Sequence, residues 1–187
     1  FLFMDRMSRP TEAEQFEAYA TVAKAMNGRE VIIRTLDIGG DKEIPYLEIE
    51  KEDNPFLGHR AIRYCLDHPD LFCDQIRAIL RAAKFGDLKL MLPLITCKEE
   101  ILAAKKLIEQ CLRELIEAGE DVHPVPVGIM VETPAAALTA AELAKESDFF
   151  SIGTNDLTQT GLGMSRDDSG SFLPQYQELE IIKKNVF

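Results

Sequence analysis

Two carboxylates follow apolar runs in the second half of the chain. The run Val127-Gly-Ile-Met-Val-Glu-Thr-Pro134 leads to Glu132, and Phe149-Phe-Ser-Ile-Gly-Thr-Asn-Asp156 leads to Asp156. The alanine-rich segment between them is helical in composition, so the two runs are expected to form neighbouring parallel strands. In parallel α/β folds ligands bind at the carboxyl ends of strands, and carboxylates there are hard oxygen ligands of the kind that Mg²⁺ prefers. The spacing predicts a magnesium site at Glu132 and Asp156.

An alternative is that each carboxylate only caps the helix or turn that follows it. Each strand core is almost wholly apolar, which indicates burial on both faces. An ionised carboxylate at such a rim needs a cation or several hydrogen-bond donors. A pair of acids on consecutive strands therefore favours a metal or substrate role over capping alone.

Composition narrows the class of protein. The 187 residues are 46% hydrophobic and 28% charged, as in a soluble globular domain. A net charge of -11 without a basic cluster argues against nucleic acid and anionic membranes as partners. There is no apolar run of bilayer length, and 1–9 lacks the features of a leader, so we predict a cytoplasmic protein. The four cysteines show no C-x-x-C spacing and are expected to be reduced, with no zinc site.

Strand and helix patterns alternate along the chain. Strands are predicted at 31–37, 88–95, 126–132 and 149–153, and helices at about 11–26, 61–66, 71–83, 96–118 and 134–146. Capping boxes are expected at Thr11–Glu14 and Thr96–Glu99, 1–4 could end another strand, and the residues after 153 read as a glycine- and serine-rich tail. Right-handed crossovers then give a doubly wound sheet or a barrel. Rim residues after every strand favour an α/β fold of the partial (β/α)8 TIM-type, with 1–187 as one incomplete barrel domain truncated at both ends.

Five blocks of sequence resemble a known family. They are Phe1-Leu-Phe-Met-Asp-Arg6, Arg34-Thr-Leu-Asp-Ile-Gly-Gly-Asp-Lys42, Asn54-Pro-Phe-Leu-Gly-His-Arg-Ala-Ile-Arg63, Val131-Glu-Thr-Pro-Ala135 and Ser151-Ile-Gly-Thr-Asn-Asp-Leu-Thr-Gln159. In this order they resemble the phosphoenolpyruvate-binding barrel of Enzyme I of the bacterial sugar phosphotransferase system. Pyruvate phosphate dikinase and phosphoenolpyruvate synthase carry related blocks. The resemblance covers nearly the whole chain.

The resemblance implies roles for individual residues. Glu132 and Asp156 would hold Mg²⁺, which bridges the phosphate and carboxylate of phosphoenolpyruvate. The phosphate or enolate oxygens would be contacted by Arg34, Lys42, Asn155 and Arg166, with His59 and Arg60 as further candidates at the rim; Asp156 would also face the substrate. Such a set suits phosphoryl transfer, which depends on charge neutralisation and positioning.

Each of these residues also has a plain structural interpretation. Arg34 could form an ion pair with Asp37 or another acid. Lys42 could be a solvated lysine in a glycine turn, because Gly-Gly-Asp-Lys alone is not a phosphate loop. Asn155 could stabilise a turn through its side chain, and Arg166 could be an ordinary loop arginine.

The resemblance also implies partners, and the chain departs from the family in four respects. The implied partners are a phosphohistidine domain, a histidine-containing phosphocarrier protein and, in the full-length protein, a second copy of the chain. The family's Arg-Thr-Glu motif is expected before Phe1, its acid cysteine in Gly-Cys-Gly-Glu has no counterpart here, and no phosphohistidine domain is seen, so no catalytic residue is assigned. The tail 163–176 resembles pyruvate phosphate dikinase instead. We expect a fragment, or a chain that self-associates to cover its sheet edges, and no activity from this chain alone.

The sequence thus favours the phosphoenolpyruvate-binding portion of a phosphoenolpyruvate-protein phosphotransferase with Mg²⁺ as cofactor. One alternative is the carboxyl-terminal domain of a pyruvate phosphate dikinase. Another is a magnesium-dependent lyase or aldolase barrel that holds a pyruvate enolate. A third is a barrel remnant that acts as a ligand sensor or dimerisation module.

Overall fold

The computed structural model describes residues 2–4, 6–39, 44, 46–47 and 49–187, and these form alternating strands and helices. The strands are β1 (Val31–Arg34), β2 (Leu88–Leu92), β3 (Val127–Val131) and β4 (Phe150–Ile152). The helices are α1 (Glu12–Ala25), α2 (Ile62–Asp67), α3 (Pro69–Ala82), α4 (Lys98–Glu117), α5 (Pro134–Leu138), α6 (Ala140–Leu143), α7 (Thr154–Leu162) and α8 (Leu173–Glu178). Short 3₁₀ turns occupy Pro55–Leu57, Ala83–Phe85 and Ser169–Ser171.

The strands form one parallel sheet in the order β1-β2-β3-β4. Each strand pairs with the next along the chain, and one or more helices lie between them in sequence. This simple order, without a reversal, is that of a (β/α) barrel rather than of a doubly wound sheet, whose strand order reverses at a switch point. The expectation of a partial TIM-type barrel is confirmed.

The core lies between the sheet and the helices α1, α3 and α4. Leu90, Leu92 and Ile129 are fully buried in the strands, and Ile76 and Ile79 of α3 belong to the same cluster. Helix α3 packs against both α1 and α4, so it lies at the centre of the helical layer. The core fixes the strand register, because a one-residue slip would turn these side chains to the other face of the sheet.

Several sequence expectations need correction at their ends. The first strand ends at Arg34 rather than 37, because its pairing with β2 stops at Met91. The second ends at Leu92 because Pro93 has no N–H for the ladder. The third and fourth are each one residue shorter at both ends than expected. The tail is not irregular but contains α7 and α8.

Two helix predictions also differ from the structure. The capping box at Thr11 and Glu14 is confirmed, but that of α4 is formed one residue later, between Cys97 and Glu100. The expected helix 134–146 is interrupted at Thr139, whose hydroxyl donates to the carbonyl of Ala135 at 2.8 Å. The backbone N–H of Thr139 donates to the same carbonyl at 3.1 Å, and back-bonding of this kind often bends a helix.

The possible strand at 1–4 is not observed in the described part of that segment, where Leu2 and Phe3 lie in a turn. No helix within the described ranges combines the length and apolar character that crossing a bilayer requires.

Candidate functional site

Glu132 lies at the carboxyl end of the central part of the sheet. It directly follows β3, and Asp156 lies in the first turn of α7, directly after β4. The two strands are parallel neighbours in which Val131 pairs with Ile152. The topology therefore brings the two acids to the same end of the sheet, where the strands have their carboxyl ends, as their spacing predicts.

Glu132 is an almost fully buried carboxyl group, with 2% of the residue exposed. Its pKa is raised to about 7, mainly because burial disfavours the charged form. The nearby carboxylates of Asp37 and Asp156 raise the pKa further, and the hydrogen bond from the backbone of Leu94 acts in the opposite direction. Negative charge from the ends of three strand segments thus converges on this side chain.

Backbone geometry on both sides of Glu132 makes room for it and orients it. The N–H of Leu94 donates to its Oε1 at 2.6 Å. Leu94 has a φ of 56°, a left-handed conformation that is costly for leucine, so backbone strain is located at this contact. On the other side, a Cβ on Gly153 would lie 2.5 Å from Oε2, which only glycine avoids.

Asp37 connects two of the predicted arginines. Its Oδ2 lies 3.0 Å from Nη1 of Arg34, and its Oδ1 accepts from Nη2 of Arg60 at 2.8 Å. The side chain of Arg60 is 6% exposed, and that of Arg34 is 44% exposed. The ion pair proposed as an alternative for Arg34 is therefore present, and it still leaves much of the guanidinium accessible. Ala61, next to Arg60, also has a left-handed φ of 51°.

Among the described residues, neither Asn155 nor Arg166 has a hydrogen bond or ion pair to the Glu132 and Asp37 cluster. Asn155 is exposed in the first turn of α7. Arg166 is exposed; its side chain faces Asp167 at 3.9 Å, and its backbone N–H donates to Gln159. Lys42 lies outside the described residues. The assignments of Asn155, Arg166 and Lys42 to substrate stay predictions.

His59 belongs to a separate surface group. Its Nε2 is 3.7 Å from Asp67, its ring centroid is 5.6 Å from that of Tyr64, and its backbone N–H donates to Glu52. The structure thus places its side chain near Asp67 and Tyr64, and no contact among the described residues links it to Glu132.

Sequence reasoning misses three contributors to the site. It treats Asp37 only as a possible partner of Arg34, although Asp37 too follows a strand and could have been found by the rule that identifies Glu132 and Asp156. The donor at Leu94 and the space at Gly153 are backbone features. Residue types alone give no signal for the Leu94 donor. A glycine after a strand gives only a weak signal for the space at Gly153.

The donor set suits a hard divalent cation. Across the described ranges, no group of three or more His, Cys, Asp or Glu side chains is placed to hold a metal unaided. Mg²⁺ is commonly bound by one or two carboxylates, with water and substrate oxygens completing its coordination. Glu132 and Asp156 fit that pattern, because a cation would offset the repulsion that raises the Glu132 pKa.

Comparison with known proteins gives the family. The model of the family described as "PEP-utilising enzyme, PEP-binding domain" matches residues 1–186. The chain belongs to this family. Phosphoenolpyruvate-utilising relatives include the phosphoenolpyruvate-protein phosphotransferases of Haemophilus influenzae, 57% identical, and of Bacillus subtilis, 52% identical, each over 89% of this chain. A multiphosphoryl transfer protein of Rhodobacter capsulatus is 52% identical over 89% of the chain.

The chain spans only part of these relatives. It covers 29% of the length of the two phosphotransferases and 20% of the multiphosphoryl transfer protein. A citrate lyase structure from Burkholderia xenovorans is 32% identical over 57% of this chain and 34% of its own, with a TM-score of 0.43. Overall similarity at that level does not bear on function.

Proposed function

We propose that this chain is the phosphoenolpyruvate-binding portion of a phosphoenolpyruvate-protein phosphotransferase that uses Mg²⁺. The observation that carries the proposal is the convergence of Glu132, Asp156 and the Asp37-anchored arginines at one end of the sheet. The names of relatives that are 52–57% identical support the same activity.

The residues of the chain would bind and orient the substrate. Glu132 and Asp156 would hold the metal, which when bound neutralises charge on phosphate and carboxylate oxygens. Arg34 and Arg60 present guanidinium groups, which match phosphate and carboxylate geometry through paired N–H donors. Asp37 restrains both groups before substrate arrives, which lowers the cost of ordering them.

The chemical step requires a group that this site does not supply. The P–O bond of phosphoenolpyruvate breaks, a P–N bond to a histidine on another domain forms, and the enolate left behind takes up a proton to become pyruvate. Positive charge near the enolate oxygen stabilises it as a leaving group. The site described here thus contributes binding, orientation and charge compensation.

The proposal extends to the setting of the whole protein. The histidine would pass the phosphoryl group to a phosphocarrier protein in the cytoplasm, as a step of sugar transport, and the full-length protein would be a homodimer. The resemblance to Enzyme I supports these partners, and the Rhodobacter capsulatus relative is itself named for phosphoryl transfer.

The test is calorimetric titration of the chain with oxalate, an analogue of the pyruvate enolate, with and without Mg²⁺. We expect binding that requires Mg²⁺ and that weakens at least about tenfold in Asp156→Asn, because one hard oxygen ligand is lost. Asp121→Asn is the matched control, because Asp121 is an exposed acid in the loop before β3, at the opposite end of that strand. Equal affinity in the wild type and Asp156→Asn would reject the metal site.

A further inference from the structure

A chain of buried polar groups connects the helical layer to the segment that carries Asp37. Gln75 of α3 is 3% exposed, and its Oε1 accepts from the backbone N–H of Leu36 at 2.9 Å. Its Nε2 donates to the hydroxyl of Tyr19 in α1 at 3.0 Å, and that hydroxyl faces Oε1 of Gln15 at 3.3 Å. Both polar atoms of the Gln75 side chain are therefore hydrogen-bonded: Nε2 to the helical layer, and Oε1 to Leu36, the residue before Asp37.

The carbonyl of Leu36 is held from the other side. Cys65 of α2 donates its thiol to this oxygen at 3.8 Å. Burial and the charge of Asp37 raise the pKa of Cys65 to about 12, so the sulfur keeps the proton that it donates. Both backbone groups of Leu36 are thus bonded to side chains of the helical layer, beyond the point where pairing of β1 with β2 has ended.

Neighbouring residues are held by backbone hydrogen bonds, and on the far side of Asp37 the carbonyl of Ile38 accepts from the N–H of Ala61 at 3.1 Å. Thr35 is 1% exposed, and in the part of the chain that the structure describes its hydroxyl has no hydrogen-bond partner. Its backbone N–H donates to Met91 at 3.0 Å, the last bond of this strand to the sheet. Asp37 therefore lies between two restrained residues, and the restraint on Leu36 is the one that comes from side chains of the helical layer.

We infer that Gln75 is a positioning residue of the site: by holding the N–H of Leu36 it fixes Asp37, and through Asp37 it sets the places of the two arginines. The role in ligand binding rests on the proposed function, whereas the geometric role does not. Gln75 bonds to Leu36 and the two arginines bond to Asp37, so Gln75 acts through the backbone between Leu36 and Asp37.

The experiment compares Gln75→Met with Ile79→Val in the 187-residue chain. Methionine has nearly the length of glutamine but provides neither hydrogen bond. Ile79 is fully buried one turn later on α3 and does not bond Leu36 in the structure, so Ile79→Val lowers stability without releasing that residue. In NMR spectra we expect Gln75→Met to speed exchange of the Leu36 amide and to shift or broaden the guanidinium signals of Arg34 and Arg60. In Ile79→Val these signals stay as in the wild type.

The binding readout is the affinity for oxalate in the presence of Mg²⁺. Gln75→Met is expected to weaken it about tenfold, and Ile79→Val by less than about twofold. If the wild type itself does not bind oxalate, the proposed function fails, and the guanidinium signals alone decide the inference. Unchanged guanidinium signals in Gln75→Met overturn it, whether or not oxalate binds.

A second variant covers the case in which Gln75→Met does not fold. Tyr19→Phe keeps the ring and removes only the hydroxyl that holds the amide of Gln75. It is expected to shift the same arginine signals to a smaller extent. If it leaves them at their wild-type positions, the inference is overturned as well.

Discussion

At the scale of single residues, the site is defined by how charges are compensated. Glu132 is buried beside two other carboxylates and receives one backbone N–H, which does not balance the cost of ionising it. Asp37, by contrast, faces two guanidinium groups. The negative charge of Asp37 is thus compensated by the two arginines, whereas that of an ionised Glu132 is not balanced by the groups around it. A divalent cation at Glu132 and Asp156 would balance it.

The raised pKa of Glu132 predicts a pH dependence of stability in the metal-free chain. The folded-state pKa of about 7 lies above the ordinary value of 4.5, so between these pH values the folded state holds a proton that the unfolded state has lost. The contribution of Glu132 to the free energy of unfolding is therefore fully present below pH 4.5 and is lost as the pH rises to about 7. Relative to Glu132→Gln, we expect the wild-type free energy of unfolding to fall by on the order of 1–3 kcal/mol across this window.

Urea unfolding with a chelator present measures this difference at a series of pH values. Asp121→Asn, which alters an exposed acid, should follow the wild-type profile. Parallel profiles for the wild type and Glu132→Gln would contradict the assignment of the titration to Glu132.

At the scale of elements, the junction between β4 and α7 decides whether Glu132 fits. Gly153 connects the two, and its missing side chain leaves the space that Glu132 occupies. The φ of Gly153 is −86°, which any residue adopts, so the requirement for glycine here is one of close approach and not of backbone conformation. Strand end, glycine and helix start therefore form one unit with the buried carboxyl.

Gly153→Ala is expected to displace Glu132, because the new Cβ would lie 2.5 Å from Oε2 and 2.6 Å from the Cβ of Glu132. We expect a loss of about 1–3 kcal/mol in the free energy of unfolding, as for an overpacked core site, and weaker Mg²⁺-dependent binding of oxalate. Chemical denaturation and calorimetry measure the two effects.

Gly161→Ala is the matched control for this substitution. Gly161 lies in α7, and nothing is within 4 Å of a Cβ built there. Alanine should stabilise the helix by roughly 0.5–1 kcal/mol and leave binding as it is. If both alanine variants behaved alike, close packing of Gly153 on Glu132 would not be important.

At the scale of the whole molecule, the sheet is open within the described residues. Strands β1 and β4 each have one neighbour, so they form its two edges. The edge strand β4 also exposes large apolar side chains, Phe150 at 39% and Ile152 at 65%. Exposed apolar edges pair readily with other chains.

We therefore expect the 187-residue chain to self-associate through β4. Ile152→Lys should weaken association in sedimentation velocity runs over a concentration series, because a lysine on the edge opposes pairing. The control Leu138→Lys adds the same charge at an 88% exposed position on α5, away from the sheet edge. An equal effect of the two substitutions would argue for general charge repulsion, and a monomeric wild type would refute the prediction.

Much of the architecture could be predicted from the residues. Buried parallel strands are continuous apolar runs, and the spacing of Ile76, Ile79 and Leu80 shows one apolar face of α3, so element types were predictable. The residues at which the helices and strands begin and end were less predictable. Where β1 ends depends on its partner strand, and the break between α5 and α6 comes at Thr139, whose side chain bonds to the backbone of Ala135.

The sequence by itself determined that acids follow two strands of a parallel barrel sheet, because apolar runs and helical spacing are local properties of the chain. Only the tertiary structure decided that Asp37 holds Arg34 and Arg60, that Leu94 and Gly153 shape the space around Glu132, and that Gln75 reaches Leu36. These contacts join residues far apart in sequence. Their strength depends on burial and charge, which exist only once the helices and strands have packed.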